Sequence, residues 1–326
     1  MHRSMVSMTL IVLGAALVLP SCEVSQKSSE VAEVAEVAEV ADDAEVADDA
    51  EITVKAYCSR EMLQEAVEGY VAAQASGDVS KMAFGPNVKY IENMEPVEKD
   101  KGLWNTALPI AFHRSYLDPD ICKSFTEIIV TEGDHQYVIG TRLTVEFGKI
   151  VEIDSLVTDK DDWAFNADKY LKYSKMEDWS PLPPEKRRNR SYLIQSGNAY
   201  LDFFFDKSVV APWGKPCARL EGGAYTLEPF PGMPEPEEEP GCDIGIPDGS
   251  LGIVSRSYVV DEELGVVNVF CRFGDAVKGM PDSHTFRLVD GKFRFIHTLS
   301  VAPPGFEMPK LDNIPLPKSK PKTSVQ

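Results

Sequence analysis

Two stretches of the chain share one pattern of apolar and polar positions. Residues 148–156 read GKIVEIDSL and residues 291–299 read GKFRFIHTL, so that Asp154 in the first copy stands where the second copy has His297. In both copies apolar residues are interleaved with polar ones over a short run, which is typical of a strand that buries one face. Two such strands, each with an ionisable side chain at the same step, predict a duplicated fold with two pockets.

The elements around the two copies follow the same order. An amphipathic helix is predicted over residues 59–76, where Leu63 and Val67 fall on one face and Gly77 follows the last turn. The second half begins with a predicted helix over residues 190–206, and strand-like runs separated by turn residues follow in each half. This order predicts an α+β protein with two tandem cone-shaped domains, each with helices packed on a curved antiparallel sheet.

Changes in composition divide the chain of 326 residues, which is long enough for about two domains, into six segments. These are a signal peptide at 1–21, an acidic low-complexity tether at 22–51, a first cone domain at 52–178, a linker at 179–184, a second cone domain at 185–302, and a Pro/Lys-rich tail at 303–326.

The amino terminus carries the signals of export. Arg3 precedes an apolar run that is too short for a membrane span, which is typical of a signal peptide. The run ends in LPSC, which resembles the lipobox of bacterial lipoproteins. We therefore expect lipidation of Cys22 and a periplasmic or cell-surface lipoprotein, with simple secretion as the alternative.

Acidic residues dominate the charge of the chain. Residues 23–51 contain 11 acidic side chains and one lysine, which account for −10 of the net charge of −19. Like charges at this density repel one another, so this segment is expected to be a solvated tether. Residues 52–326 are acidic as well. Such a body repels phosphate backbones, and nucleic acid is not an expected partner.

Five cysteines follow Cys22, and export to an oxidising compartment favours their pairing. The sequence leaves the connectivity open. The expected pairs lie within one half each and leave Cys271 single: Cys58–Cys122 and Cys217–Cys242.

Several phrases resemble known families. They include GLWNTA, YVIGTRL, PWGKPCARLEGGAYT, RSYVVDEELGVVNVFCRFG and PDSHTFRLVDGKFRFIHTLSV, which together span about residues 57–302. The order of elements resembles the nuclear transport factor 2-like superfamily, which includes SnoaL-like polyketide cyclases. More closely, the phrases resemble an uncharacterised family of secreted, mostly fungal proteins with a domain of unknown function. The superfamily contains enzymes, ligand binders and dimerisation modules, so the resemblance implies a fold and leaves the function open.

The second half has the larger set of candidate site residues. His297 shares a strand face with Phe295, and His284 shares one with Asp282. If their strands are neighbours, the two histidines approach one pocket and are the predicted catalytic residues, able to move a proton and stabilise an enolate or phenolate. The substrate-binding residues predicted beside them are Arg219, Glu221, Asp282 and Trp213.

In the first half Asp154 is the candidate for catalysis. The resemblance implies that the last strands line the pocket, where burial would raise the pKa of Asp154 and suit it as a general acid or base. The alternative is a buried aspartate that bonds a turn. Aligning the halves places Tyr90 opposite Arg219 and Glu92 opposite Glu221, so Tyr90 and Glu92 are weaker candidates for substrate binding.

No motif for a nucleotide, a serine nucleophile or a metal appears in the sequence, and the histidines lack close ligand spacing. No cofactor and no metal are therefore expected. The leading hypothesis is a cofactor-free acid–base enzyme (cyclase, isomerase or lyase, including pericyclic cyclisation) for a small apolar or aromatic molecule. The alternatives are a ligand-binding protein, held at the membrane by a lipid anchor at Cys22, and a homodimerisation module.

Overall fold

The computed structural model describes residues 58–228, 241–243, 246 and 252–302. All of these residues belong to one compact unit. The signal peptide, Cys22, the acidic tether and the Pro/Lys-rich tail that the sequence predicts lie outside the described residues. None of the helices in the described ranges is long and apolar enough to cross a membrane.

The first half has two helices and six strands among its described residues. They are α1 (Arg60–Ser76), β1 (Phe84–Glu92), β2 (Glu95–Pro96), β3 (Phe112–Asp118), β4 (Lys123–Val130), β5 (Tyr137–Glu146), β6 (Lys149–Thr158) and α2 (Ala167–Met176). The strands form one sheet in the order β2-β1-β6-β5-β4-β3. Helix α1 begins where the Ser59 side chain accepts a hydrogen bond from the Met62 backbone N–H, and it ends at Gly77, whose φ is +67°.

The second half repeats this order. Its elements are α3 (Arg190–Phe203), β7 (Ala218–Glu221), β8 (Ala224–Tyr225), β9 (Ile253–Asp261), β10 (Val266–Phe273), β11 (Met280–Val289) and β12 (Lys292–Ser300). The sheet order is β8-β7-β12-β11-β10-β9, which matches the first half strand for strand. The prediction of an α+β fold with two repeated domains is confirmed.

Strand register confirms the alignment of the two halves. Tyr90 lies opposite Ile153 on β6, and Arg219 lies opposite Ile296, the matching residue on β12. These pairings are parallel, whereas the other strand pairs are antiparallel. Each sheet is therefore mixed rather than purely antiparallel, because the first long strand of each half pairs with the last.

The two sheets pack face to face. Between them lies an apolar layer from both halves, in which the rings of Phe125 and Phe270 meet edge to face with centroids 5.8 Å apart. On the opposite faces, α1 packs on the first sheet and α3 packs on the second. Each sheet thus buries both faces, one under a helix and the other under the second half.

Two reciprocal ion pairs join the halves at their edges. Arg60 at the start of α1 lies 2.8 Å from Asp261 at the end of β9, and Arg190 at the start of α3 lies 2.7 Å from Asp118 at the end of β3. Both carboxylates are buried, and each also accepts a backbone N–H from the other half. The repeat therefore has an approximate two-fold relation in its contacts as well as in its strand order.

Two disulfides are present, Cys58–Cys122 and Cys217–Cys242, as predicted, and Cys271 is a buried free thiol. Each bridge lies within one half. Disulfides of this kind are compatible with an exported protein.

Candidate functional site

His297 lies between two buried carboxylates at the junction of the halves. Its Nδ1 is 3.1 Å from Glu127 Oε1, and its Nε2 is 2.6 Å from Glu177 Oε2. Glu127 is on β4 of the first half, and Glu177 directly follows α2. All three side chains are about 1% exposed. We call Glu127, His297 and Glu177 the inter-half triad.

Aromatic side chains surround the triad. The Tyr170 hydroxyl donates to Glu127 Oε2 over 2.9 Å, and the Trp179 indole N–H donates to Glu177 Oε2 over 2.8 Å. Both rings lie edge-on to the imidazole, with centroids 5.4 and 5.0 Å away. These contacts hold the imidazole in one orientation and keep water away from it.

The triad is charged at neutral pH. Burial by itself would lower the pKa of His297, but the charges of Glu177 and Glu127 outweigh burial and raise that pKa to about 9. Burial would raise the pKa of Glu127, and the neighbouring His297 outweighs it and lowers that pKa. The imidazole is therefore an imidazolium that donates one N–H to each carboxylate.

Glu177 also lines an open groove of about 320 Å³, which we call the triad groove. Its other lining residues are mostly aromatic, apolar or cationic: Lys172, Tyr173, Met176, Tyr225, Leu227, Glu228, Arg294 and Phe295. The rings of Tyr173 and Tyr225 are stacked with centroids 4.1 Å apart. Burial, and then the charge of Glu177, raise the pKa of Tyr225 well above its usual range.

Two polar atoms of the triad groove have no hydrogen bond of ordinary geometry within the described residues. They are Oε1 of Glu177 and Nη1 of Arg294. One is an acceptor and the other a donor, and buried polar groups are rarely left unpaired. Both atoms are buried beneath the wall of the triad groove, and Tyr225, which lines that wall, interacts with the Glu177 carboxylate.

A second cluster lies inside the second half, under α3. His284 Nδ1 is 3.3 Å from Asp282 Oδ2, and Arg219 Nε is 3.3 Å from Glu221 Oε1. The structure brings together four residues predicted for the site: Arg219, Glu221, Asp282 and His284. A fifth predicted residue, Trp213, contacts the Tyr200 ring, which in turn contacts His284. Their functional roles remain predictions.

The expectation that both histidines share this pocket is wrong. In the antiparallel register His284 lies opposite Thr298, and His297 lies opposite Thr285. Residues that face each other across a pair share a face, so His284 and His297 point to opposite faces of the sheet. Burial lowers the pKa of His284 to about 3, which keeps it neutral, in contrast to His297.

Asp154 faces the other half, as His297 does, but has different neighbours. It lies opposite Arg142, whose guanidinium donates to Asn268 and Ser257 of the second half. Asp154 Oδ1 has no hydrogen-bond partner in the described part of the chain. Burial raises the pKa of Asp154 to about 6, against the opposing effect of Arg142.

Tyr90 and Glu92 serve the packing of the first half. The Tyr90 ring packs on Trp104 with centroids 5.5 Å apart, and Glu92 accepts the Leu103 backbone N–H over 2.7 Å. Neither residue lines the triad groove. A binding role for them remains a prediction.

Sequence reasoning missed Glu127, Glu177, Tyr170 and Trp179. A weak signal was present, because Glu127 is the only charged residue in the apolar run TEIIV, and a buried strand glutamate needs a partner. Helix α2, which carries Tyr170 and places Glu177, was not predicted either. The triad joins residues from three separate parts of the chain, so their spacing shows no motif.

Comparisons with known proteins find a match for the second half only, and that match names no activity. No curated protein and no solved structure matches the chain. One family model matches residues 186–300, which include α3 and β7–β12, so the second half is similar to a domain of unknown function (DUF8021).

Proposed function

We propose that the protein is a cofactor-free acid–base enzyme that acts on a small aromatic molecule with an acidic oxygen, and that Glu177 is its base. The observation that carries this proposal is the position of Glu177. One carboxylate oxygen is held by His297 and Trp179, and the other, Oε1, is buried behind the triad groove, where Tyr225 is the groove residue that interacts with the carboxylate.

The proposed chemistry is a proton transfer within the triad groove. In this proposal the ligand displaces Tyr225 from the Glu177 carboxylate and exposes Oε1. Oε1 then accepts a proton from the ligand, and the resulting negative charge on the ligand oxygen lies against Arg294. Returning the proton to another ligand atom completes an isomerisation. His297 remains protonated throughout and fixes Oε2, so that Oε1 is the oxygen that acts.

The walls of the triad groove favour an aromatic ligand. The stacked Tyr173 and Tyr225 rings and Phe295 supply flat apolar surfaces. Arg294 supplies positive charge, whereas Lys172 is paired with Glu228 over 2.7 Å. A volume of about 320 Å³ lies at the small end of ligand pockets, which suits one or two fused rings. A phenol satisfies both features and still carries its proton at neutral pH, whereas an aromatic carboxylic acid has already lost it.

A neighbouring groove of about 490 Å³ extends this cationic surface. Arg294 and Phe295 line both grooves, and Lys186 and Arg287 line the second. Arg287 donates to the Ser180 carbonyl over 2.7 Å, while its Nε and Nη1 have no partner among the described residues. The positive charge of this surface contrasts with the negative net charge of the chain and favours a ligand with an acidic group.

We place this enzyme outside the cytoplasm. The proposal includes lipidation at Cys22, a tether of residues 22–51, and a relation of both halves to the SnoaL-like fold. It is supported by the LPSC sequence, the two disulfides and the repeated helix-and-sheet order. Homodimerisation through the broad sheet faces is disfavoured, because the two halves already cover those faces.

The test is hydrogen–deuterium exchange of ligand C–H groups, followed by NMR over a panel of phenols and aromatic acids. The wild type is expected to catalyse exchange of at least one compound. Glu177→Gln keeps the shape of the side chain and should reduce exchange by at least 100-fold while binding persists. Asp154→Asn, at the matching place of the first half, should exchange like the wild type.

Two outcomes would change the assignment. Exchange by Glu177→Gln at the wild-type rate would remove Glu177 as the base. Binding in the triad groove without exchange by the wild type would favour ligand capture, which is the second function that this groove could serve.

A further inference from the structure

Three side chains of metal-ligand type meet inside the second half, on the face of the sheet that α3 covers. Cys271, Asp282 and His284 are all buried, and their ligand atoms lie within 4.8 Å of one another. Cys271 on β10 lies directly opposite Asp282 on β11, and His284 follows two residues later on the same face. Two adjacent strands therefore fix the three positions without any loop.

The hydrogen bonds of this cluster are incomplete. His284 Nδ1 has no hydrogen-bond partner within the described residues, because its 3.3 Å approach to Asp282 Oδ2 lacks suitable geometry. The Cys271 thiol donates to the Asp282 backbone carbonyl over 3.6 Å, an ordinary distance for sulfur, so the imidazole is the member of the cluster that lacks a partner. A buried imidazole nitrogen without a partner costs free energy, so its retention calls for a compensating interaction.

The equivalent positions of the first half carry side chains with a purely structural role. There Ile128 lies opposite Ile139, in the register that Cys271 and Asp282 have in the second half. The residue that matches His284 is Thr141, whose hydroxyl is bonded to Tyr70 at 2.7 Å. Where the first half has two isoleucines and a hydrogen-bonded threonine, the second half has the Cys271 thiol, the Asp282 carboxylic acid and the His284 imidazole, whose Nδ1 has no partner among the described residues.

We propose that Cys271, Asp282 and His284 bind one divalent transition-metal ion, with zinc as the best match. Sulfur, nitrogen and oxygen ligands together suit zinc, whereas calcium and magnesium prefer oxygen alone. The thiol and the carboxylic acid lose their protons when the ion binds, so that their two charges balance the two charges of the metal. Three protein ligands leave one position for water.

The ligand atoms need only a small shift to coordinate an ion. Around a tetrahedral zinc, ligand atoms lie about 3.3–3.7 Å apart, so the largest separation of 4.8 Å must shrink by about 1 Å. Arg219 and Arg256 are close enough to oppose a cation. Glu221 lies 3.3 Å from Arg219 Nε, and Asp202 lies 2.6 Å from Arg256 Nη2, so each positive charge is offset.

This site is independent of the proposed enzyme. It lies on the opposite face of the second sheet from His297 and shares no residue with the triad groove. It also differs from the expectation of no metal, because ligands brought together by strand register leave no spacing motif in the sequence.

The experiment is a cobalt titration of the full chain after chelation, with its disulfides intact. Wild type is expected to bind one Co²⁺ with a thiolate-to-cobalt charge-transfer band, and one equivalent of Zn²⁺ should remove that band. Because the site is buried, the titration is repeated with protein refolded in the presence of the metal. Co²⁺ bound to the acidic side chains of residues 23–51 has oxygen ligands only and gives no such band.

Matched variants decide the assignment. Cys271→Ser and His284→Gln should abolish the band or weaken metal affinity by at least 100-fold, while circular dichroism shows the fold retained. Cys22→Ser and His135→Ala remove a thiol and an imidazole elsewhere, and they should keep the band. The proposal is overturned if the folded wild type gives no band in either titration, or if the band persists in Cys271→Ser.

Discussion

His297 and Asp154 occupy the same step of matching strands, and both face the other half, yet their surroundings differ. Across from His297 the first half supplies Glu127, whereas the matching place of the second half is Phe270. His297 thus has carboxylates on both nitrogens, while Asp154 faces an arginine that is bonded to other residues. The two positions are equivalent in the fold, but only His297 has a hydrogen-bonding carboxylate at each of its polar atoms.

This difference indicates where the chemistry lies. A buried charge is tolerated when its partners are fixed, and at the His297 place every ring nitrogen and three of the four carboxylate oxygens are engaged. The remaining oxygen, Oε1 of Glu177, is buried behind the triad groove, where Tyr225 interacts with the carboxylate. Asp154 lines neither the triad groove nor the neighbouring groove.

Substitution at the two matching positions should have opposite effects on stability. His297→Asn leaves Glu127 and Glu177 buried without their cation and is expected to cost about 3–5 kcal/mol. Asp154→Asn removes a carboxylate that burial disfavours and should stabilise the protein by about 1–2 kcal/mol at pH 7. Urea unfolding followed by tryptophan fluorescence measures both. Equal losses would show that the two places are equivalent after all.

The pH dependence of stability should separate the same two places. The folded pKa of His297, about 9, lies above its unfolded value of about 6.5, so its contribution is complete below pH 6.5 and is lost as pH rises through 9. The loss amounts to about 3 kcal/mol. The pKa of Asp154 in the folded state is raised to about 6. The contribution of Asp154 to the free energy of unfolding is therefore lost at lower pH, as pH rises from about 4 to about 6.

Difference profiles of urea unfolding identify each window. Subtracting the profile of His297→Asn from that of the wild type should isolate the alkaline loss, and subtracting that of Asp154→Asn should isolate the acidic one. An alkaline loss that persists unchanged in His297→Asn would assign it to another group.

The reciprocal ion pairs should show the smallest difference, because there the two halves are alike. Arg60→Gln and Arg190→Gln each leave a buried aspartate that still accepts a backbone N–H. The arginine side chains are 31% and 26% exposed, so solvent weakens both pairs, and each loss is expected to be about 1–2 kcal/mol. Thermal unfolding measures the loss of stability in the two variants. A several-fold difference between the two losses would show that the two ion pairs are not equivalent.

The repeat itself could be predicted from sequence. The helix predicted over 59–76 is α1 (Arg60–Ser76), and the run KIVEIDSLVT is β6, because hydrophobic periodicity and turn residues are local signals. Helix α2 and strand β3 were missed. The buried stripe of α2 is formed by Ala167, Tyr170, Tyr173 and Ser174, which are not the aliphatic residues that mark a core-facing helix in a sequence. In β3 the polar residues His113 and Arg114 interrupt the apolar pattern.

The candidate site was predicted only in part. His297 was identified because the repeat marked its position, but its pairing with Glu127 and Glu177 depends on how the two sheets stack. His284 was placed beside it because the register between β11 and β12 cannot be read from either strand alone. A shift of one residue decides which face a side chain occupies, and only the pairing fixes that shift.

The most direct test of the inter-half triad is the protonation state of His297, read from its imidazole ¹⁵N chemical shifts and assigned by comparison with His297→Asn. We predict that both ring nitrogens are protonated from pH 6 to pH 8 and that the imidazolium titrates near pH 9. A neutral imidazole at pH 7, with a pKa at or below 6.5, would contradict the charged triad and the role that it gives to Glu177.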